Sequence, residues 1–188
     1  MLVTGASGLV GGILRRALSS EYSLSGLDRA EMLELDCLVA DATDLEAVRP
    51  AFEGIDTVID LAANPASDLP WEVVRDNNIP CTYNALEAAR LSGVRRLIFA
   101  SSNHVTGMYE LDHPYSEVVA GQYDGLEPGA FPRLTADMPI RPDGPYGIGK
   151  AFGEAAGRFY ADEHGLSVIC LRIGTVNRED KPTMPRQF

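Results

Sequence analysis

The sequence predicts an α/β fold, a doubly wound parallel sheet with helices on both faces. Two observations carry that prediction. Short apolar runs alternate with longer amphipathic ones along the whole chain, the order expected when each strand is followed by a crossover helix. The first apolar run, Leu2-Val3-Thr4, turns at once into a helix-like segment through glycines three apart, at Gly5, Gly8 and Gly11. At 188 residues the chain reads as a single domain, large enough to bury roughly 70% of its unfolded surface.

The elements follow in order. Leu2 to Thr4 is too short for anything but a strand, and Leu9 to Leu18 reads as the first helix. Ser23 to Leu27 is a strand ending at Asp28, and Cys37 to Ala40 another ending at Asp41. Thr43-Asp44-Leu45-Glu46 has the form of a capping box, so a helix is expected to run to about Phe52. Thr57 to Ala62 is a strongly apolar strand, and 64–70 is a loop by composition. A long helix from Trp71 to about Leu91 should kink at Pro80, which removes one backbone hydrogen bond, and stop at Gly93. Leu97 to Ala100 is the fifth strand. Residues 108–144 carry prolines at 114, 128, 132, 139 and 142 with little periodicity, which predicts a structureless lid or binding loop. Pro145 to Glu163 is a helix stopped by Gly165, and Leu166 to Ile173 is the sixth strand.

Bulk properties remove several classes of function. The hydrophobic fraction of 45% and charged fraction of 23% are those of an ordinary soluble domain. A net charge of −11 without any basic block argues against nucleic acid or an anionic membrane as a partner. Cys37, Cys81 and Cys170 are scattered and odd in number, so no metal site is expected. No apolar run reaches about 18 residues and no signal peptide precedes the first strand, which predicts a cytoplasmic location. The first strand has almost no lead-in, and the chain stops at Arg186-Gln187-Phe188 without a terminating element. Residues are therefore expected to be missing at either end.

The chemistry begins at the glycine turn. A strand that enters a helix through glycines forms a phosphate cradle: Gly5 permits the tight turn, Gly8 lets the backbone approach a pyrophosphate, and Gly11 lets helix and strand pack closely. Asp28 lies at the end of the second strand, where a carboxylate can accept from the ribose hydroxyls of a dinucleotide; its alternative role is a turn aspartate. A carboxylate there repels a 2′-phosphate and so favours NAD, while Arg29 beside it keeps NADP open. Asp41 can receive an adenine amino group, with Ala42 lining the adenine pocket, or can cap the following helix. Leu61-Ala62-Ala63 is small enough for a flat ligand to lie over the sheet edge, or for close strand–helix packing.

Tyr146 and Lys150 stand at i and i+4 on one helix face. With seven tyrosines and only two lysines in the chain, such a pair arises by chance in fewer than roughly one chain in ten. An ammonium beside a phenol is expected to lower the phenol's pKa and make it a base near neutral pH. Ser102, just past the fifth strand, can hold a substrate oxygen while Tyr146 moves the proton; Asn103 and His104 can add hydrogen bonds to a polyhydroxy substrate. His104 can equally be a loop histidine bonded to backbone, and Asn78 a solvated helix residue or a buried support.

With these residues in place the chain resembles the extended short-chain dehydrogenases/reductases of the NAD-dependent epimerase/dehydratase family, which have a Rossmann fold. The resemblance rests on Thr4-Gly5-Ala6-Ser7-Gly8-Leu9-Val10-Gly11, Asp28, Asp41-Ala42, Leu61-Ala62-Ala63, Asn78 with Leu86-Glu87-Ala88-Ala89, Ser101-Ser102, and Tyr146 with Lys150. It implies NAD as cofactor, Tyr146 as acid/base, Lys150 on the nicotinamide ribose, and Ser102 on the reacting hydroxyl or carbonyl. It extends the cofactor-binding set to Ser7, Leu9, Val10, Asn78, Ala100 and Ile173. Ala100-Ser101-Ser102-Asn103-His104 and Arg141-Pro142-Asp143-Gly144-Pro145-Tyr146-Gly147 look most like uronate dehydrogenases. That likeness places Ser67, Ser102, Asn103 and His104 around a sugar and offers Arg186 for its carboxylate. The family also implies a homodimer through the helices of 71–91 and 146–163. Cys81 stands where the family usually has glycine, Pro80 interrupts its helix, the 44 residues from Ser102 to Tyr146 exceed the family's usual spacing, and the resemblance implies a further C-terminal portion that completes the substrate pocket.

The leading expectation is an NAD-dependent sugar or sugar-acid dehydrogenase. A nucleotide-sugar epimerase with tightly held NAD would use the same tyrosine and lysine. A non-catalytic dinucleotide-binding protein is the third reading, set against the presence of both residues. A dehydratase would need an acidic pair beside Ser102, where Asn103 and His104 stand instead.

Overall fold

The computed structural model describes residues 1–127, 129, 132–179 and 181. Its six strands are β1 (Leu2–Thr4), β2 (Ser25–Asp28), β3 (Cys37–Val39), β4 (Thr57–Asp60), β5 (Arg96–Ser102) and β6 (Ser167–Ile173). They form one sheet in the order β3-β2-β1-β4-β5-β6, with every neighbouring pair parallel. This is the doubly wound order in which the chain runs outward from β1, returns, and continues from β4. The reversal between β1 and β4 leaves a crevice outside the carboxyl ends of the strands.

Alternation along each strand feeds two cores. Leu2, Leu27, Val58, Leu97 and Phe99 pack on one face with Val48, Phe52, Ala85, Leu86, Ala88, Ala89 and Tyr160. Val3 and Ile59 turn to the other face and meet Leu14, Leu18, Leu35 and Ile98. Successive side chains of a strand point to opposite sides, so one apolar tripeptide serves both cores.

The helices differ from the expectation where proline and polar side chains intervene. Helix α1 runs Leu9–Leu18 as expected. Helix α2 covers only Leu45–Val48 before Pro50 tightens the chain into a 3-10 turn at Arg49–Phe52. Its cap is Asp44, which accepts from the Ala47 amide, rather than Thr43, whose hydroxyl donates to Asp41. The segment from 71 to 91 is divided into α3 (Trp71–Val73), a π-turn at Val74–Asn78, and α4 (Ile79–Leu91). Pro80 has no N–H to offer the carbonyl four residues back, and the wide turn lies directly before it. Strand β4 ends at Asp60, because the amides of Leu61 and Ala62 donate to the Thr4 hydroxyl instead of to a strand partner.

Residues 108–144 are not structureless, against the expectation. The segment contains most of a 3-10 turn at Gly107–Leu111 and helix α5 (Tyr115–Val119). Its ends are laced together: Arg141 donates its amide to Val105 O and lies over the Tyr109 ring at 4.6 Å, while pairing with Asp112. The Tyr109 hydroxyl donates to Pro139 O. Helix α6 (Pro145–His164) then crosses the sheet, ending at Gly165 with φ of +70°. Its small residues let it lie close: a Cβ at Gly149 would come within 2.6 Å of Val74.

Candidate active site

The crevice holds a cavity of about 700 Å³. Its floor is the β1–α1 turn. Gly5 adopts φ of +63°, a left-handed conformation that glycine enters without steric penalty. A Cβ at Gly11 would stand 2.6 Å from Gly5 O and 2.8 Å from Ala6 O, so any larger residue would push α1 off the strand. Gly8 precedes helix α1 as its N-cap, with no side-chain cap and no acidic residue in the first turn. Free amides at a helix N-terminus attract anions, so the cradle fits a pyrophosphate by shape and by polarity. Ser7, Leu9 and Val10 line it with the glycines.

Asp28 stands beside this floor. It accepts from the Ser7 amide at 2.8 Å and the Ala30 amide at 3.0 Å. Partial burial disfavours its charge, yet the amides prevail and hold the carboxyl below its ordinary value. Arg29, Asp41 and Ala42 continue the wall, and Leu61, Ala62, Ala63 and Ser67 close the side opposite. Asp41 is occupied locally, accepting from the amide and hydroxyl of Thr43, which lower its pKa.

At the far end the cavity is lined by Ala100, Ser102, Asn103, His104, Tyr146, Lys150 and Ile173. Ser102 ends β5, and its hydroxyl accepts from the His104 amide at 3.2 Å. The tyrosine comes from the first turn of α6, one residue after Pro145. Lys150 is 6% exposed and donates to Ala100 O at 2.7 Å. Its ammonium lies 5.7 Å from the Tyr146 ring centre and 5.0 Å from that of Phe99.

Two expectations need correction. The pKa of Tyr146 is raised, by burial above all, with the Ser102 hydroxyl opposing. The lysine does not offset this, because its ammonium is turned to the Ala100 carbonyl and is itself shifted down by burial. Asn78 is 4% exposed and does not line the cavity; its amide accepts from Asn64 N and donates to Asn64 O, so it holds the 64–70 loop. None of the described residues of 108–144 lines the cavity either. Arg186 lies outside the described residues.

Several contributors escaped the sequence reading. Asn77, Cys81, Thr175 and Val176 line the cavity. Burial pushes the Cys81 thiol up to about 12, which disfavours the nucleophilic thiolate. Asp60, 1% exposed, takes the Thr4 hydroxyl at 2.6 Å on one oxygen and has no partner on the other. An aspartate inside the apolar run Thr57-Val58-Ile59-Asp60 was the visible signal for it. Glu154, two turns along α6 from Tyr146, takes the Ser101 hydroxyl at 2.6 Å and a two-point pair from Arg172. Among the described residues no cluster of acidic, histidine or cysteine side chains could hold a metal, and no helix is long and apolar enough to cross a membrane.

Known proteins share this architecture. L-arabinose 1-dehydrogenase (NAD(P)(+)) of Haloferax volcanii is 42% identical over 180 residues, covering 95% of this chain and 68% of that protein. The uronate dehydrogenase of Agrobacterium fabrum is 36% identical over 184 residues, 95% of this chain and 62% of its own length. A mutant uronate dehydrogenase from Agrobacterium tumefaciens, crystallised with NAD, superimposes with a TM-score of 0.76 at 34% identity, over 93% of this chain and 60% of that one. The chain thus spans about 60% of the uronate dehydrogenases it matches. The signature of the NAD dependent epimerase/dehydratase family matches residues 1–182. On that match, and on the sheet order and glycine cradle that accompany it, the chain belongs to the NAD dependent epimerase/dehydratase family.

Proposed function

We propose that this chain is the dinucleotide-binding part of an NAD-dependent oxidoreductase acting on a sugar or sugar acid. The observation that carries the reading is the meeting of Ser102, Tyr146 and Lys150 at one end of a cavity floored by a glycine cradle. The cradle would hold the pyrophosphate, Asp28 the adenosine ribose, and Lys150 the second ribose. Relatives named for L-arabinose and uronate, and an NAD complex among the similar structures, support this choice of cofactor and substrate class.

NAD bound here would supply a hydride acceptor at the sheet edge. Ser102 would orient the substrate hydroxyl, and Tyr146 would take its proton as the carbon–oxygen bond gains double-bond character. Burial holds the Tyr146 phenol in its protonated form near neutrality. Oxidation should therefore speed up with rising pH, and the reverse reduction, in which the phenol donates, should not. A homodimer through α4 and α6 suits the same reading, since Tyr83 and Phe159 are 47% and 56% exposed on these helices.

The test is purified full-length protein with NAD and a panel of hexuronates and aldoses, followed by NADH absorbance. Net NADH with at least one sugar, faster at pH 9 than at pH 7, is the expected result. NAD that stays bound through purification, with no net NADH from any sugar, would contradict it and point to epimerisation.

A further inference from the structure

Beside Tyr146 stands a pair that the proton-transfer scheme does not use. His104 Nδ1 lies 2.7 Å from an oxygen of Asp143, with the two side chains 33% and 29% exposed. The His104 ring meets the Tyr146 ring edge to face, with centroids 5.6 Å apart. His104 lines the cavity and Asp143 does not. The carboxylate stands behind the imidazole.

The backbone is arranged to keep it there. The Asp143 amide donates to His104 O at 3.3 Å. A Cβ on Gly107 would overlap the Asp143 carboxylate, and one on Gly147 would overlap His104 O. Neither glycine has a positive φ, so what these positions require is space for the pair. Gly147 follows Tyr146 directly, so the pair is fitted to the start of the same helix that carries the tyrosine.

We propose that Asp143 is a positioning residue that fixes the tautomer and orientation of His104 for substrate recognition. An ionised carboxylate can only accept, so Nδ1 must carry the proton. When the ring is neutral it presents Nε2, which has no partner among the described residues, as a hydrogen-bond acceptor. Such an acceptor beside the phenol of Tyr146 suits a substrate hydroxyl next to the one being oxidised. The opposite tautomer would present an N–H there and lose that contact. The substrate half of this inference rests on the proposed dehydrogenase reading; the tautomer half does not.

The experiment has two arms on full-length protein. In the first, nitrogen-15 histidine spectra at about pH 9, where an ordinary imidazole is neutral, read the tautomer without substrate, with His104→Gln assigning the signal. The wild type should show His104 protonated at Nδ1, and Asp143→Ala should abolish that preference. Gly107→Ala, which displaces the carboxylate without removing it, should act in the same direction. In the second arm, both variants should raise KM for the sugar about tenfold, the value of one hydrogen bond of roughly 1.4 kcal/mol. Their NAD affinity should not change. A His104 signal protonated at Nε2, or unchanged in Asp143→Ala, would overturn the proposal, as would a sugar KM unmoved in both variants. If no sugar is oxidised at all, the dehydrogenase reading falls, and the spectra still decide the role of Asp143.

Discussion

At the scale of single residues, the side chains named from sequence, Asn78 and Arg186 apart, lie around one cavity, but their electrostatics were not legible. Spacing told that Tyr146 and Lys150 share a helix face; it could not tell that the ammonium would turn to Ala100 O. Asp60 shows the same limit, because its burial depends on β1 and β4 pairing across 56 positions of sequence. Its carboxyl is pushed up to about 6 by burial, against an ordinary 3.8, with Thr4 and Lys150 only partly offsetting this. A folded pKa above the unfolded one means a contribution that is complete below about pH 4 and is lost as pH rises through 6. The loss by pH 7 is on the order of 3 kcal/mol. Asp60→Asn removes the titration, so the stability of the variant relative to wild type should climb by that order between pH 4 and pH 7. Urea unfolding at several pH values would measure it, and a pH-independent difference would contradict this account of Asp60.

At the scale of elements, strand and helix order followed from periodicity, while boundaries shifted wherever a side chain captured backbone amides. The Thr4 hydroxyl ends β4 two residues early, Asp44 rather than Thr43 supplies the helix cap, and a π-turn precedes Pro80. The 108–144 segment misled because its order comes from cross-links such as Arg141 on Tyr109 and Asp112, which leave no periodic trace in sequence. Helix α6 is tied to the sheet by Glu154, which joins Arg172 of β6 to Ser101 of β5. With side chains only 17% and 21% exposed, removing one partner strands the other. Glu154→Ala should lower unfolding free energy by about 2–3 kcal/mol, near the lower limit for breaking a buried pair. A loss below about 0.5 kcal/mol in urea titration would mean that packing alone, through Gly149 and Gly153, holds the helix.

At the scale of the whole molecule, the parallel order β3-β2-β1-β4-β5-β6 creates the crevice and brings residues as far apart in sequence as Gly5 and Tyr146 to its two ends. Gly5 and Asp28 meet at one end, Ser102 and Tyr146 at the other, because every βα turn lies at the same edge of the sheet. The central claim is that these ends divide the labour, one holding the dinucleotide and the other moving a proton. Tyr146→Phe separates them most directly: it removes one hydroxyl from the reacting end and nothing from the glycine cradle. Titration with NAD should give an affinity within about threefold of wild type, while turnover of the preferred sugar falls by about two to four orders of magnitude, the range for losing a general acid/base. Turnover that survives the change, or NAD binding that is lost with it, would contradict the account.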